Sequence, residues 1–180
     1  NTIPAQTITN SGITAEKVTY TILPTSNYTP SCPGTPADYT ITINPNPAIT
    51  SILAGSVCSG QAFNYNITSN IAGSTFTWSR AAVSGISNPP VALSSMAVIN
   101  ETLLNTTNND IDVTYVLTPI GQAPTFCAGI PENLVVKVRA LPQVNAGSDF
   151  TIPFGTYTTL NGTATGGTGT LNYSWTPYSY

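Results

Sequence analysis

The sequence has very little charge and no histidine. Only 6% of its 180 residues are charged, with four basic and seven acidic side chains and a net charge of −3. Ordinary soluble domains contain about 25% charged residues. Four scattered cations cannot form the basic surface that nucleic acid requires, and a chain without histidine lacks the usual general base and the commonest metal ligand. We therefore expect neither a nucleic-acid partner nor an enzyme.

Long apolar runs are also missing. No stretch approaches the roughly 20 consecutive apolar residues of a membrane-spanning helix, and we expect any export signal to lie outside this sequence. Leu, Lys, Glu and Arg are too scarce to favour helices. Thr, Asn, Ser, Gly and Pro take their place, while hydrophobic residues still make up 41% of the chain. This composition predicts an all-β protein of short strands and tight turns.

An internal repeat organises the chain. Val18-Thr19-Tyr20 recurs as Val113-Thr114-Tyr115, 95 positions later, and the same offset relates Cys32 to Cys127. The segments that follow these cysteines both alternate apolar and polar residues, as half-buried strands do. Further residues match at the same offset, namely Pro24 and Pro119, Gly34 and Gly129, Pro36 and Pro131, and Pro47 and Pro142. The sequence is therefore interpreted as a series of modules.

The offset predicts three units. Residues 1–46 correspond to the C-terminal half of one module, residues 47–142 to a complete module, and residues 143–180 to the N-terminal part of a further module of a different type. The junctions Asn44–Pro47 and Leu141–Pro142 contain proline. Such linkers are stiff and extended, so we expect an elongated tandem array.

Seven strands are expected in the complete module, near 48–53, 62–68, 74–80, 91–95, 98–104, 112–118 and 133–139. Seven short strands within about 95 residues predict an immunoglobulin-like β-sandwich. Aromatic residues on the inward faces of these strands are expected to form its core. They are Phe63, Tyr65, Phe76, Trp78 and Tyr115.

The three cysteines predict one disulfide. Cys58 and Cys127 lie in the complete module, and we expect them to pair, whereas the partner of Cys32 would lie outside the chain. Closing this long loop would stabilise the module by roughly 4 kcal/mol, and a structural disulfide implies an oxidising compartment. The alternative is that all three cysteines are reduced, buried thiols.

Three acidic residues are weak candidates for calcium binding. Asp110 and Asp112 flank the start of a predicted strand, where their carboxylates would suit a calcium ion. The alternative is a solvated turn that leads into the strand at Val113. Asp149 would lie at a module junction near Asn145 and is a candidate of the same kind. No other cofactor is expected.

Several motifs resemble a known family. Val57-Cys58-Ser59-Gly60, the segment Phe76–Arg80 and the segment Ile99–Leu103 resemble PKD-like modules of giant surface proteins of Bacteroidetes, which include the SprB-type gliding-motility adhesins. The stretches Asn145–Asp149 and Tyr173–Pro177 are similar to the opening of a related PKD or immunoglobulin-like module. The resemblance implies type IX secretion, a location on the bacterial cell surface, tandem arrays of modules, and roles in adhesion or gliding.

The leading hypothesis is therefore a non-catalytic stalk, filament or adhesive segment. Its expected partners are neighbouring modules of the same chain, with surface glycans or other cells as candidates. One alternative is an accessory module of a secreted hydrolase. Another is a carbohydrate-binding module, for which Tyr178 and Tyr180 are the candidate exposed aromatic residues.

Overall fold

The computed structural model describes residues 2–176, which form eleven strands and no helix. The all-β prediction is confirmed. The strands in chain order are β1 (Glu16–Ile22), β2 (Ala37–Ile43), β3 (Ala54–Cys58), β4 (Ala62–Asn66), β5 (Thr75–Arg80), β6 (Val91–Ser94), β7 (Val98–Thr102), β8 (Ile111–Ile120), β9 (Glu132–Arg139), β10 (Gln143–Asn145) and β11 (Thr163–Thr165).

Strands β3 to β9 build an immunoglobulin-like sandwich. One sheet has five strands in the order β3-β9-β8-β5-β6, and the facing sheet consists of β4 and β7. All pairs are antiparallel except β3 with β9, which run parallel from Ala54 beside Val135 to Cys58 beside Arg139. The first and last strands of the sandwich are therefore neighbours that run in the same direction.

The first strand of the sandwich differs from the prediction. Residues 48–53 do not form a strand; Ile49 makes only a bridge to Ser69, after which the chain crosses to the other sheet and forms β3 at Ala54–Cys58. The physical reason is the pairing of Ala54–Cys58 with β9, which gives the backbone of these residues its partners. At Gly55 of β3, a Cβ would meet the Phe63 ring at 3.0 Å, so this ring packs closely against the strand.

The core lies between the two sheets and is rich in aromatic side chains. The Tyr115 ring on β8 packs edge-on against Trp78 at a centroid distance of 5.7 Å and faces Phe63 of the other sheet at 6.3 Å. Tyr65 is half-buried beside them. Nine of the buried hydrophobic residues of this cluster are Phe63, Phe76, Trp78, Ile99, Leu103, Val113, Tyr115, Leu117 and Val136.

The hairpin β1–β2 repeats the hairpin β8–β9 in register. Each of its seven residue pairs, from Glu16 beside Ile43 to Ile22 beside Ala37, maps onto a β8–β9 pair at an offset of 95. The bond from Gly34 N to Pro24 O at 2.8 Å recurs as Gly129 N to Pro119 O at 2.8 Å. The repeat seen in the sequence therefore extends to backbone pairing.

The two hairpins differ in burial. Leu117 and Leu134 are fully buried in the sandwich, whereas their counterparts Ile22 and Tyr39 are 55% and 62% exposed. The sandwich covers this face of its own hairpin with β4 and β7. In residues 2–46, the same face has no second sheet against it.

The last described segment contains one small hairpin. Strands β10 and β11 pair over three residues, from Gln143 beside Thr165 to Asn145 beside Thr163. Gly162 lies against the Trp175 ring, because a Cβ there would approach the ring to 2.8 Å. Most side chains of residues 143–176 are exposed.

Candidate functional site: the ends and interior of the sandwich

A buried cluster of ionisable side chains joins the two sheets. The Arg80 guanidinium at the end of β5 donates two hydrogen bonds to the Glu101 carboxylate of β7, at 2.9 Å from Nε and 3.0 Å from Nη2. The Tyr115 hydroxyl of β8 donates to the same carboxylate at 2.6 Å, and Arg80 Nη2 also reaches the Pro89 carbonyl at 2.7 Å. Glu101 thus holds the facing sheet to two strands of the larger one.

The surroundings shift the pKa of each member. Burial raises the pKa of Glu101, but the hydrogen bonds from Arg80 and Tyr115 outweigh it, and the net pKa is lowered. The hydrogen bond to Glu101 raises the pKa of Arg80. Burial, followed by the hydrogen bond to Glu101, raises the pKa of Tyr115 far above its ordinary value. All three groups keep their neutral-pH charge states.

The charged groups of this cluster are largely enclosed by the two sheets. The Arg80 side chain is 0% exposed and the Glu101 side chain 16% exposed, so the charged groups have almost no open face. Within residues 2–176, the Arg80 Nη1 and Trp78 Nε1 atoms are buried without a hydrogen-bond partner. The ion pair therefore fixes how the two sheets face each other.

Two of the three acidic residues considered for calcium have partners of their own. Asp110 accepts a hydrogen bond from the Ala140 backbone at 3.0 Å, and Asp112 forms an ion pair with Lys137 at 2.7 Å. Asp149 is exposed. Residues 2–176 bring no three metal-ligating side chains together. The carboxylates of Asp110 and Asp112 serve the packing of β8 against β9 and the chain that follows it.

The predicted disulfide between Cys58 and Cys127 is not formed. Both residues, and Cys32, are exposed free thiols, which also contradicts the alternative of buried thiols. Cys58 lies beside Arg139 at the end of β9, whereas Cys127 lies in the loop before β9 begins. The eight residues of β9 separate them by about 23 Å at a strand rise of 3.3 Å per residue. The spacing in the sequence did not reveal that these cysteines lie at opposite ends of the sandwich.

The linker from the first hairpin docks onto the loop that contains Cys127. Pro45 and Pro47 are buried. The Asn44 amide donates a hydrogen bond to the Thr125 hydroxyl at 2.6 Å. A Cβ on Gly129 would lie 1.9 Å from the Pro47 carbonyl oxygen. The linker therefore lies where the side chain of any residue other than glycine at position 129 would be. This junction is a packed contact.

The same junction contains a recess of about 250 Å³. Asn44 and Cys127 both line it, together with Ala72, Gly121 and Gln122. The recess lies where the linker meets the β8–β9 loop, and both polar and apolar groups face it. No acid–base pair faces it among the residues that the structure describes.

The opposite end of the sandwich has a smaller contact. Arg139 donates a hydrogen bond to the Thr168 hydroxyl at 2.9 Å, and Gly167 lies against the Pro142 ring. Each proline-bearing linker therefore packs against residues distant from it in the sequence. The aromatic residues considered for glycan binding, Tyr178 and Tyr180, lie outside the described residues.

The sequence analysis missed the Arg80–Glu101 pair. A signal was present, because Arg80 continues the inward alternation of Phe76 and Trp78, and Glu101 follows the buried Ile99 at the same parity. A charged residue at an inward position needs a partner.

Residues 2–176 contain no helix that is long and apolar enough to cross a bilayer.

Comparison with known proteins assigns a family. The model of the PKD-like domain matches residues 1–47 and again residues 55–142, together about three quarters of the chain. The two matches cover the hairpin β1–β2 and nearly all of the sandwich. No curated protein matches the chain.

Proposed function

Because the chain belongs to the PKD-like domain family, we propose that it is a non-catalytic segment of a tandem array that acts as a stalk or adhesive surface on the outside of a bacterial cell. Residues 1–46, 47–142 and 143–180 are its three units. The repetition of strand register between β1–β2 and β8–β9 carries the proposal.

The exposed face of the first hairpin supports the division into units. In the sandwich, β4 and β7 cover the equivalent face and bury Leu117 and Leu134 completely. Ile22 and Tyr39 would gain the same burial from the matching strands of a preceding copy. Burying an apolar side chain stabilises the folded state by roughly 1.5–3 kcal/mol. The matching strands of a preceding copy would therefore stabilise this hairpin.

The docked linkers support an elongated shape. Pro45 and Pro47 are buried in the junction, so the linker has little freedom to bend. The ten residues of β8 span about 33 Å at the usual strand rise, and each further module would add about 30–40 Å to the array. A long array repeats its surface many times, and weak contacts made in parallel add up to strong attachment.

The partners in this proposal are neighbouring modules and, at the outer surface, glycans or other cells. The resemblance to gliding-motility adhesins favours adhesion or gliding and export by the type IX system. The alternatives are an accessory module of a secreted hydrolase and a carbohydrate-binding module.

Small-angle X-ray scattering tests the rod directly. We would compare the full chain with chains that carry one and two additional copies of residues 48–142 inserted after residue 142. The maximum dimension should rise by about 30–40 Å for each copy, as strand rise predicts. A matched control replaces Pro45 and Pro47 by glycine, which should broaden the distance distribution. Compact particles whose dimension rises only with the cube root of mass would contradict the proposal.

Adhesion is tested separately. Beads coated with the three-copy chain should attach to cells or glycan-coated surfaces more strongly than beads coated with the single-copy chain at equal protein mass. Attachment that does not depend on copy number would contradict the proposed adhesive role. The proposed stalk would then depend on the scattering result.

A further inference from the structure

The sandwich has one cysteine at each end. Cys58 is the last residue of β3 and lies beside Arg139, the last residue of β9. Cys127 lies in the β8–β9 loop, at the end where the linker enters. Both are exposed. Their separation excludes a bond within one sandwich but leaves each thiol close to a neighbouring unit.

The junction with the first hairpin shows what Cys127 faces. Cys127 lines the recess described above together with Asn44, and the two also line a second groove beside Ile43 and Thr125. Asn44 is held there by its hydrogen bond to Thr125 at 2.6 Å. At the offset of 95, Asn44 is the equivalent of Arg139.

The repeat therefore places a second cysteine at this junction. In the sandwich, Cys58 is the register partner of Arg139 in the parallel β3–β9 pair, and both side chains are exposed. A preceding copy of the repeat would hold its equivalent of Cys58 beside Asn44 in the same way, at an inter-strand distance of about 4.8 Å. That thiol would border the recess that Cys127 lines.

We propose that consecutive copies of this repeat are joined by a disulfide between the Cys58 position of one copy and the Cys127 position of the next. A disulfide spans Cα atoms about 4.4–6.8 Å apart, so the proposal requires the two positions to lie at that separation across the recess. The inference rests on the tandem arrangement proposed above. It explains why the repeat carries two exposed cysteines at opposite ends, neither of which has a partner within its own sandwich.

The bond forms by thiol–disulfide exchange. Each of the two thiols loses a proton and the pair gives up two electrons, which reduce the disulfide of an oxidoreductase in the oxidising compartment to two thiols. The product is one Sγ–Sγ bond between the modules. Such a bond ties the end of β3 in one copy to the loop before β9 in the next, so the junction keeps its geometry when the array is pulled.

The test uses the full chain, extended at its N terminus by a copy of residues 48–95. Residue 1 is the equivalent of residue 96, so this extension continues the repeat without a break and supplies the missing Cys58 position. The protein is folded with oxidised and reduced glutathione, digested without reduction and mapped by mass spectrometry. We expect the added cysteine to be linked to Cys127, with Cys32 and the original Cys58 recovered as free thiols. Linkage of the added cysteine to Cys32, within its own module, or recovery of all four thiols, would overturn the inference.

Two variants control for folding and for chance pairing. Cys127→Ser in the extended chain should leave the added cysteine free, whereas Cys32→Ser should leave the disulfide unchanged. In the unextended chain, Asn44→Cys should pair with Cys127, because the two positions line the same recess. Failure of Asn44→Cys to pair in a chain with normal circular dichroism would show that the junction geometry is wrong.

Scattering of the extended chain under reducing conditions separates this inference from the proposed function. If the reduced chain is a rod and mass spectrometry finds no disulfide between the modules, the disulfide inference fails and the proposed stalk stands. A compact particle would contradict the proposed tandem stalk, whether or not the cysteines are linked.

Discussion

Removing the charge of Glu101 should destabilise the sandwich strongly. The Arg80 side chain is 0% exposed, and Glu101 supplies its counter-ion through two hydrogen bonds. Glu101→Gln leaves the guanidinium buried without a compensating charge, and breaking a buried pair in this way costs about 3–5 kcal/mol. The total stability of a domain is about 5–15 kcal/mol, so the variant should lose a large part of it.

Urea unfolding followed by Trp78 fluorescence measures the effect, in a Trp175→Phe background that leaves Trp78 as the single tryptophan. The double variant Arg80→Met/Glu101→Leu removes both charges and should be within about 1–2 kcal/mol of the parent, because apolar groups replace buried ion pairs at little cost. Tyr115→Phe, which removes one hydrogen bond to Glu101, should cost only about 1 kcal/mol. The reasoning is refuted if Glu101→Gln costs less than about 1 kcal/mol or if the double variant loses as much stability as Glu101→Gln.

The same pair predicts a dependence on pH. The pKa of Glu101 is lower in the folded state than its ordinary value. The stability that this gives is therefore fully present above the unfolded pKa of about 4.3 and is lost as the pH falls through the folded value. Between pH 7 and pH 3, the parent should lose more stability than Glu101→Gln. Parallel curves for the two proteins would show that Glu101 does not carry this dependence.

Three further predictions concern the repeat and its junctions. Leu117→Ala should lower the free energy of unfolding in urea by about 2–5 kcal/mol. Ile22→Ala, at the equivalent position that is 55% exposed, should lower it by well under 1 kcal/mol in this chain, and by nearly as much as Leu117→Ala when residues 48–95 are added before residue 1. Equal costs of the two substitutions in the unextended chain would contradict the assignment of the repeat. Gly129→Ala places a Cβ 1.9 Å from the Pro47 carbonyl oxygen and should speed proteolysis within residues 44–47, while Gly121→Ala, whose Cβ meets nothing closer than 3.4 Å, should not. Single-molecule pulling on the two ends of the sandwich should give a higher unfolding force for the parent than for Ser56→Pro, which removes a backbone donor from β3; equal forces would show that β3–β9 does not bear the load.

Sequence reasoning succeeded where local pattern and final packing agree. The alternation of apolar residues in β8 and β9 marks the buried face of that hairpin, and the 95-residue offset extends to its register. It failed at β3, because Ala54 and Gly55 have poor strand propensity and form a strand only through pairing with β9. It missed Arg80–Glu101 and misassigned Cys58–Cys127 for one reason. Each depends on which strands lie opposite or beside one another, and that information is tertiary.

The parallel pairing of β3 with β9 connects these features. Because the first and last strands of the sandwich run in the same direction, the chain enters at the end where β9 begins and leaves at the end where β9 finishes. An antiparallel pairing would bring entry and exit to the same end, and successive copies would then fold back beside each other. In the tandem array proposed above, the parallel pairing would let copies follow one another in line. Cys58 lies at the exit and Cys127 near the entry, so the topology that would keep the proposed array in line would also bring the two thiols of successive copies to one junction.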